Sequence, residues 1–177
     1  LLLPRAGPTL AFSMVPMTLL TPGRTADYID TGTWADKAPK EAKPVGPVIV
    51  TGSTKADNYN RIPEVHEVTL TRDAAYVHIT SNNTIEGTEW HTLPDTGTAP
   101  LVADASSNIF SRPIDITRFG LIYAGAQKNL GPSGVVLVII RSDLVEAGPK
   151  TLPTMLQYRT HAAEKSLYNT PPTFGIY

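Results

Sequence analysis

Short apolar runs alternate along this chain with amphipathic segments. Runs rich in branched and aromatic residues predict buried strands. They lie at residues 25–31, 45–50, 75–80, 101–103, 121–123 and 135–141. Residues 135–140 are apolar throughout, which indicates a strand covered on both faces. Strands interleaved with helices predict an α/β domain built around a mainly parallel sheet.

Helical periodicity is clearest near the beginning of the chain. Residues 11–20 place Phe12, Val15 and Leu19 at helical spacing, so that all three share one side of the predicted helix. An apolar stripe of this kind is typical of a helix that packs against a sheet.

Three later segments are less regular. Residues 35–43 are rich in alanine, lysine and glutamate, which favours a helix. Pro39 lies inside that stretch and would cost a helix about 3 kcal/mol outside its first turn, which leaves this helix open. Residues 141–145 predict a turn into a short helix, and residues 150–169 predict a loop that reaches away from the core.

Composition fits one globular domain and excludes several kinds of function. The chain has 177 residues and is 41% hydrophobic, enough for a sizeable core. Its net charge of −1 gives no basic surface for nucleic acid. The absence of cysteine excludes disulfides and thiolate metal ligands, and the four histidines show no pair at helical ligand spacing. No apolar run approaches the roughly 18 residues of a membrane span.

The candidate chemistry centres on Lys128, which lies in a turn crowded with small residues. Ala126 precedes it, and Gly131 and Gly134 follow, so the backbone can pass close to a bulky group. A lysine in a confined, partly dry site loses proton affinity and becomes a nucleophile for a carbonyl. A solvated lysine in a surface loop is the alternative, and composition alone leaves the two interpretations nearly even.

Seven motifs along the chain carry a resemblance to one family. The longest are SRPID at residues 111–115, YAGAQKNLGPSG at 123–134 and YNTPPTF at 168–174. MVPM at 14–17, TADY at 25–28, TW at 33–34 and SNNTIEG at 81–87 occur in the same order. From about Ala6 to Tyr177 the chain resembles the phosphoserine aminotransferases, which are class V, fold-type I enzymes dependent on pyridoxal 5'-phosphate.

The resemblance implies an aspartate-aminotransferase-like large domain with a mixed sheet flanked by helices. It also implies that residues 1–177 are part of this cofactor-binding domain, incomplete at both ends. We therefore expect the N-terminal segment and the C-terminal small domain of the family to be absent from residues 1–177. The arginine that binds the substrate carboxylate is then expected outside these residues.

For function, the resemblance implies transfer of an amino group from glutamate to 3-phosphohydroxypyruvate. The products are O-phosphoserine and 2-oxoglutarate, as in serine biosynthesis, and the enzyme is expected to be a cytoplasmic homodimer with shared active sites. Two alternatives stay open. One is a related class V aminotransferase with another substrate, and the other is an inactive fragment that only folds and dimerises.

Four residues match the family's cofactor-binding and catalytic positions. Lys128 matches the amine that holds the cofactor aldehyde, and Asp104 matches the acid for the pyridine nitrogen. Trp34 matches the stacking ring, and Thr84 matches the donor to the phenolic oxygen. Without the resemblance, Asp104 could equally be a strand-end turn or helix cap, and Thr84 could be a turn residue. For Trp34, core packing is then the favoured interpretation.

The phosphate cup departs from the family pattern. Pro8 and Thr9 occupy the turn before a predicted helix, whose first N–H groups could face a phosphate. Pro8 has no N–H, so one donor is lost if that position normally donates. Ala11 replaces a glutamine that is common in the family. Gln127 matches a glutamine that contacts the phosphate.

Two further pairs are expected to act across a subunit interface. Asn169 and Thr170 match residues that reach the cofactor phosphate of the neighbouring subunit, although a turn initiator is the plainer interpretation. Arg159 and His161 could help to receive the substrate phosphate across the same interface. They could equally be solvated loop residues.

Overall fold

Strands and helices alternate through most of this chain, for which a computed structural model describes residues 1–4 and 7–177. The strands are β1 (Leu2–Pro4), β2 (Ala26–Asp30), β3 (Val48–Ser53), β4 (Tyr76–Thr80), β5 (Leu101–Asp104), β6 (Leu121–Gly125) and β7 (Val135–Ile140). The α-helices are α1 (Pro8–Leu19), α2 (Thr33–Ala42), α3 (Ser142–Val145), α4 (Tyr158–Ala163) and α5 (Thr173–Ile176). Short 3-10 turns lie at Lys55–Asp57, Val65–Glu67, Ile116–Arg118 and Thr154–Leu156.

One mixed sheet organises the part of the chain that the structure describes. Its seven strands run in the order β1-β7-β6-β5-β4-β2-β3. β2 pairs in parallel with β3 and β4, β4 pairs in parallel with β5, and β5 with β6. β7 runs antiparallel to both β6 and β1. The predicted α/β class with a mainly parallel, mixed sheet is therefore confirmed. Parallel pairing brings the carboxyl ends of β4, β5 and β6 to one edge of the sheet.

A layer of buried aromatic rings lies between this sheet and α1. Phe12 of α1 packs edge-on against His78 and Tyr123, and Tyr28 stacks on His78 at 4.9 Å between ring centroids. Their polar atoms pair with one another: His78 Nε2 lies 2.8 Å from the Tyr123 hydroxyl, and the hydroxyls of Tyr28 and Tyr76 are 2.6 Å apart. Burial lowers the pKa of His78 to about 3, so the imidazole is neutral.

Both long helices run through an interior proline. α1 contains Pro16 and α2 contains Pro39, and both rings are buried. The chain stays helical beyond each ring, since Leu20 N donates to Pro16 O and Lys43 N to Pro39 O. The helix at residues 35–43 that the sequence left open is confirmed. Packing of the proline ring offsets part of the lost hydrogen bond.

The prediction that residues 150–169 reach away from the core is wrong. They contain α4, in which Tyr158 is 1% exposed and His161 is 2% exposed. Tyr158 joins the hydrophobic cluster beneath α1. The sequence of this segment is polar enough to resemble a loop, but two large side chains fix it to the core.

Two strand predictions also need correction, and one strand was missed. β7 is not covered fully on both faces, since Leu137, Ile139 and Ile140 are only half-buried. β3 begins at Val48 instead of residue 45, because a turn in which Gly46 N donates to Ala42 O ends α2 first. β1 was not predicted, since three residues carry too little periodicity to be recognised. No helix within the described ranges is long and apolar enough to cross a membrane.

Candidate active site

The ends of three neighbouring strands meet at the carboxyl edge of the sheet. Thr84 lies in the loop after β4, Asp104 ends β5, and Lys128 lies in the turn after β6. The Nζ atom of Lys128 donates to Thr84 Oγ1 over 2.5 Å. Asp104 is close enough for its charge to influence the pKa of Lys128. The parallel arrangement thus gathers three of the residues that the sequence singled out, where open α/β sheets bind ligands.

Lys128 occupies the compact turn that its small neighbours predict. The N–H groups of Leu130 and Gly131 both donate to Ala126 O, at 3.2 and 2.8 Å, which folds the turn back on the end of β6. The lysine is half-buried in this turn. Burial lowers the pKa of its amine, and the nearby Asp104 carboxylate opposes that shift. A larger share of the amine is therefore neutral than in a solvated lysine.

Asp104 is a buried carboxyl group, only 4% exposed. Ser106 donates to its Oδ1 twice, from the backbone N–H at 3.0 Å and from the hydroxyl at 2.6 Å. Burial raises the pKa of Asp104, whereas the Ser106 hydrogen bonds and the positive charge of Lys128 oppose the rise. Among the described residues, the hydrogen bonds to this carboxyl group all go to Oδ1, so Oδ2 has no donor there.

Trp34 lies beside the lysine, in the first turn of α2. Lys128 Nζ is 4.7 Å from the centroid of its ring, and Lys37 Nζ is 4.3 Å from it. Trp34 is half-buried and packs against the hydrophobic cluster beneath α1. Cation–π attraction to an ammonium favours this arrangement. Trp90, by contrast, is 5% exposed and packs in a separate core cluster, as expected of a structural residue.

Sequence reasoning missed the residue that anchors the Trp34 segment. The backbone N–H and the hydroxyl of Thr33 both donate to Glu86 Oε1. α2 has no side-chain cap of its own, since Gly32 is its N-cap, so Glu86 caps the helix from the loop that also carries Thr84. No spacing in the sequence relates residues 33 and 86, and only the fold reveals this contact.

Asn83, in the same loop, holds the other side of this segment. Its side-chain amide donates to Thr31 Oγ1 at 2.9 Å, and its Oδ1 accepts from the N–H of Ala35 at 3.4 Å. The backbone of Gly32 lies so close to the Asn83 side chain that a Cβ at residue 32 would collide with it. The loop after β4 therefore fixes Trp34 and Thr84 relative to each other.

Two of the residues expected to form a phosphate cup, Pro8 and Gln127, lie close to Gly125. A Cβ at that position would lie 2.7 Å from Gln127 Oε1 and 2.8 Å from Pro8 Cδ. Thr9 follows in the exposed first turn of α1. Ala11 points elsewhere, since it is fully buried in the core below α1. Residue 6, which begins the turn, lies outside the described residues.

The four residues predicted to act across an interface have other surroundings in the described structure. Asn169 and Thr170 are exposed. Arg159 donates to the carbonyl oxygens of Glu146 and Gly148, and His161 Nε2 lies 2.9 Å from Met155 O. Within the described ranges, no hydrogen bond joins Arg159, His161, Asn169 or Thr170 to Lys128 or Asp104, so their predicted roles stay predictions.

Comparison with known proteins finds similarity along nearly the whole chain. The sequence model of the aminotransferase class-V family matches residues 5–177. The chain is 59% identical over 173 residues to the phosphoserine aminotransferase of Lysinibacillus sphaericus (strain C3-41), a match that covers 98% of this chain and 48% of that protein. The chain thus spans about half the length of the curated relatives it matches.

Two solved structures show how far the similarity extends in space. The phosphoserine aminotransferase from Bacillus circulans subsp. alkalophilus superposes with a TM-score of 0.96 at 55% identity, over 100% of this chain and 49% of that one. A phosphoserine aminotransferase from Trichomonas vaginalis, solved with bound PLP, gives a TM-score of 0.91 at 40% identity, over 100% of this chain and 50% of that one.

Proposed function

Since the chain belongs to the aminotransferase class-V family, we propose that it is the cofactor-binding part of a phosphoserine aminotransferase that uses pyridoxal 5'-phosphate. The contact between Lys128 Nζ and Thr84 Oγ1, beside the buried Asp104, is the observation that carries this proposal. The names of relatives at 55–59% identity support the substrate class.

The residues present fit pyridoxal 5'-phosphate. The cofactor needs an amine, an acid for its pyridine nitrogen, a flat ring to stack on and donors for its phosphate. Lys128 offers an amine whose pKa is lowered by burial, and Asp104 offers a buried carboxyl group with one oxygen not occupied by Ser106. Trp34 offers the indole, while Gln127 and the N-terminus of α1 offer phosphate donors.

When bound, the cofactor supplies an electron sink that acidifies the Cα–H bond of an amino acid. The neutral amine of Lys128 can take a proton at Nζ and later return it, as general base and then as general acid. Thr84 holds Nζ in place by accepting its hydrogen bond, and the ring of Trp34 keeps water from one side of the amine. The ionised carboxylate of Asp104 would favour the protonated form of the pyridine nitrogen.

The substrates and partners form the finer part of this proposal. We propose glutamate and 3-phosphohydroxypyruvate as the substrate pair, with O-phosphoserine and 2-oxoglutarate as the products, in the cytoplasm. We also propose a homodimer in which Asn169 and Thr170 reach the partner's phosphate cup. The neighbouring surface supports an interface, since Leu167 is 65% exposed and Phe174 is 93% exposed.

A two-part measurement on the full-length protein tests the proposal. Added pyridoxal 5'-phosphate is expected to give a visible absorption band that survives gel filtration. Amino transfer is then measured with a panel of amino donors and keto acids. Preference for glutamate with 3-phosphohydroxypyruvate supports the proposal, and preference for another pair assigns the protein to a related class V aminotransferase. Retained cofactor without any transfer indicates a protein that only folds and associates.

A further inference from the structure

Ser106 joins the two principal groups of the site through one buried hydroxyl. The residue is 2% exposed. Its hydroxyl donates to Asp104 Oδ1 at 2.6 Å and accepts from the backbone N–H of Gly125 at 2.9 Å. Gly125 ends β6, three residues before Lys128. The end of β5 and the turn that carries the lysine are therefore tied at a single atom.

We propose that Ser106 is a positioning residue that keeps the Asp104 carboxylate ionised and aligned with the Lys128 turn. The proposal rests on the proposed function, because a bound pyridine nitrogen is the group that this carboxylate would serve. Ser106 itself is not proposed to contact substrate or cofactor. It acts through Asp104.

Ser106 makes more hydrogen bonds than an ordinary turn requires. The bond from Ser106 N to Asp104 Oδ1 is an Asx-turn, which any residue other than proline could form at this position. The hydroxyl adds a second, shorter donor to the same oxygen, and a hydrogen bond to an ionised carboxylate is about twice as strong as one between neutral groups. Its acceptance of the Gly125 N–H fixes the hydroxyl so that its proton points at Asp104.

The surroundings explain why such a donor matters. Burial disfavours the charged form of Asp104, and the groups that act on it are Ser106 and the Lys128 ammonium. Tyr123 on β6 also lies within reach of this charge, and burial keeps its phenol protonated. The lysine charge is not permanent if the amine gives up its proton during turnover. Ser106 is then the donor that remains for the carboxylate.

Three variants of the full-length protein test this role. Ser106→Ala removes the hydroxyl and keeps the backbone donor. Ser106→Cys fills the space with a weaker donor. Ser81→Ala is the matched control, because the Ser81 hydroxyl also bonds Asp104, but at its backbone carbonyl oxygen, 3.0 Å away. A purely structural serine would behave alike at both positions.

The first measurement follows the Asp104 carboxyl carbon by NMR during a pH titration of cofactor-free protein. We expect its titration midpoint to move upward in Ser106→Ala, less in Ser106→Cys and not in Ser81→Ala. An unchanged midpoint in Ser106→Ala overturns the proposal. If that variant does not fold, an unchanged midpoint in Ser106→Cys overturns it instead. This result does not depend on whether the protein binds a cofactor.

The second measurement adds pyridoxal 5'-phosphate labelled with ¹⁵N in its ring. We expect the ring nitrogen of Ser106→Ala to lose part of its protonated character and cofactor retention to weaken about tenfold, with Ser81→Ala close to wild type. Equal losses in both variants overturn the positioning role. If the wild-type protein retains no cofactor, the proposed function fails. A higher titration midpoint of Asp104 in Ser106→Ala would still show that the Ser106 hydroxyl stabilises the Asp104 carboxylate.

Discussion

The Nζ atom of Lys128 lies 2.5 Å from Oγ1 of Thr84, a residue 44 positions earlier in the sequence. An ammonium only donates, so the Thr84 hydroxyl accepts this bond and is free to donate to Ser107 Oγ, 2.5 Å away. Ser107 donates in turn to the carbonyl oxygen of Asn82 at 3.2 Å. The Lys128 amine is thus the first donor in a series of hydrogen bonds that ends at a backbone carbonyl oxygen after β4.

Replacing Asp104 by asparagine is expected to separate stability from catalysis. Burial raises the pKa of Asp104 above its unfolded value, so the folded state binds this proton more tightly and loses stability as pH rises through the raised pKa. The asparagine side chain would keep an acceptor for Ser106 without ionising. We expect cofactor-free Asp104→Asn to melt a few degrees above wild type at pH 7, with no difference below about pH 3.9, where aspartate is protonated in both states.

The catalytic effect of the same variant has the opposite sign. A neutral amide cannot stabilise a protonated pyridine nitrogen, so turnover is expected to fall far more than cofactor affinity. Asp95→Asn, at an exposed aspartate, is the control for both measurements. Near-normal turnover of Asp104→Asn would show that Asp104 is merely a turn residue. A lower melting temperature at pH 7 would contradict the stability argument from its raised pKa.

Glu86 is expected to act as a helix cap that determines where Trp34 lies. Glu86→Ala removes the acceptor for two donors of Thr33, and loss of a cap costs about 1 kcal/mol. We expect chemical denaturation to register this loss and Trp34 fluorescence to report a more mobile ring. Glu86→Gln retains an oxygen acceptor and should remain close to wild type in both measurements. An equal loss of stability in Glu86→Ala and Glu86→Gln would indicate that the negative charge of Glu86 matters, and not its role as a hydrogen-bond acceptor at the helix cap.

Pro8 is expected to limit the affinity of the phosphate cup. Pro8→Ala restores one backbone N–H at the start of α1, and a hydrogen bond to a charged group contributes about 1.5–3 kcal/mol. We therefore expect pyridoxal 5'-phosphate to dissociate about tenfold less readily. Pyridoxal, which lacks the phosphate, is the control ligand and should bind both proteins equally. An equal gain for both ligands would place the effect on the helix and not on the phosphate.

Local pattern accounts for most of the fold. β4, β5 and β6 are short apolar runs bounded by polar residues, and each was predicted within two residues of its observed end. The order of strands could not be predicted, because pairing depends on crossovers that leave no local mark in the sequence. α4 was missed for a similar reason: Tyr158 is buried by residues of α1 and the sheet, which are distant in sequence.

The residues of the candidate site differ in the same way: some have a local signal in the sequence and others have none. Lys128 has a local signal, a lysine among small residues, and Asp104 has one as well, since it directly follows an apolar strand. Glu86 and Ser106 have none, because their roles arise from contacts that only the folded chain creates. Residues that hold others in place are harder to find from sequence than those with reactive groups of their own.

The site of covalent attachment of the cofactor tests the central claim most directly. The full-length protein is incubated with pyridoxal 5'-phosphate, reduced with borohydride, digested and mapped by mass spectrometry. We expect the pyridoxyl group on Lys128, and we expect Lys128→Arg to take up no label and to lose amino transfer. Label on another lysine, such as Lys37, whose Nζ lies 4.3 Å from the centroid of the Trp34 ring, would contradict it.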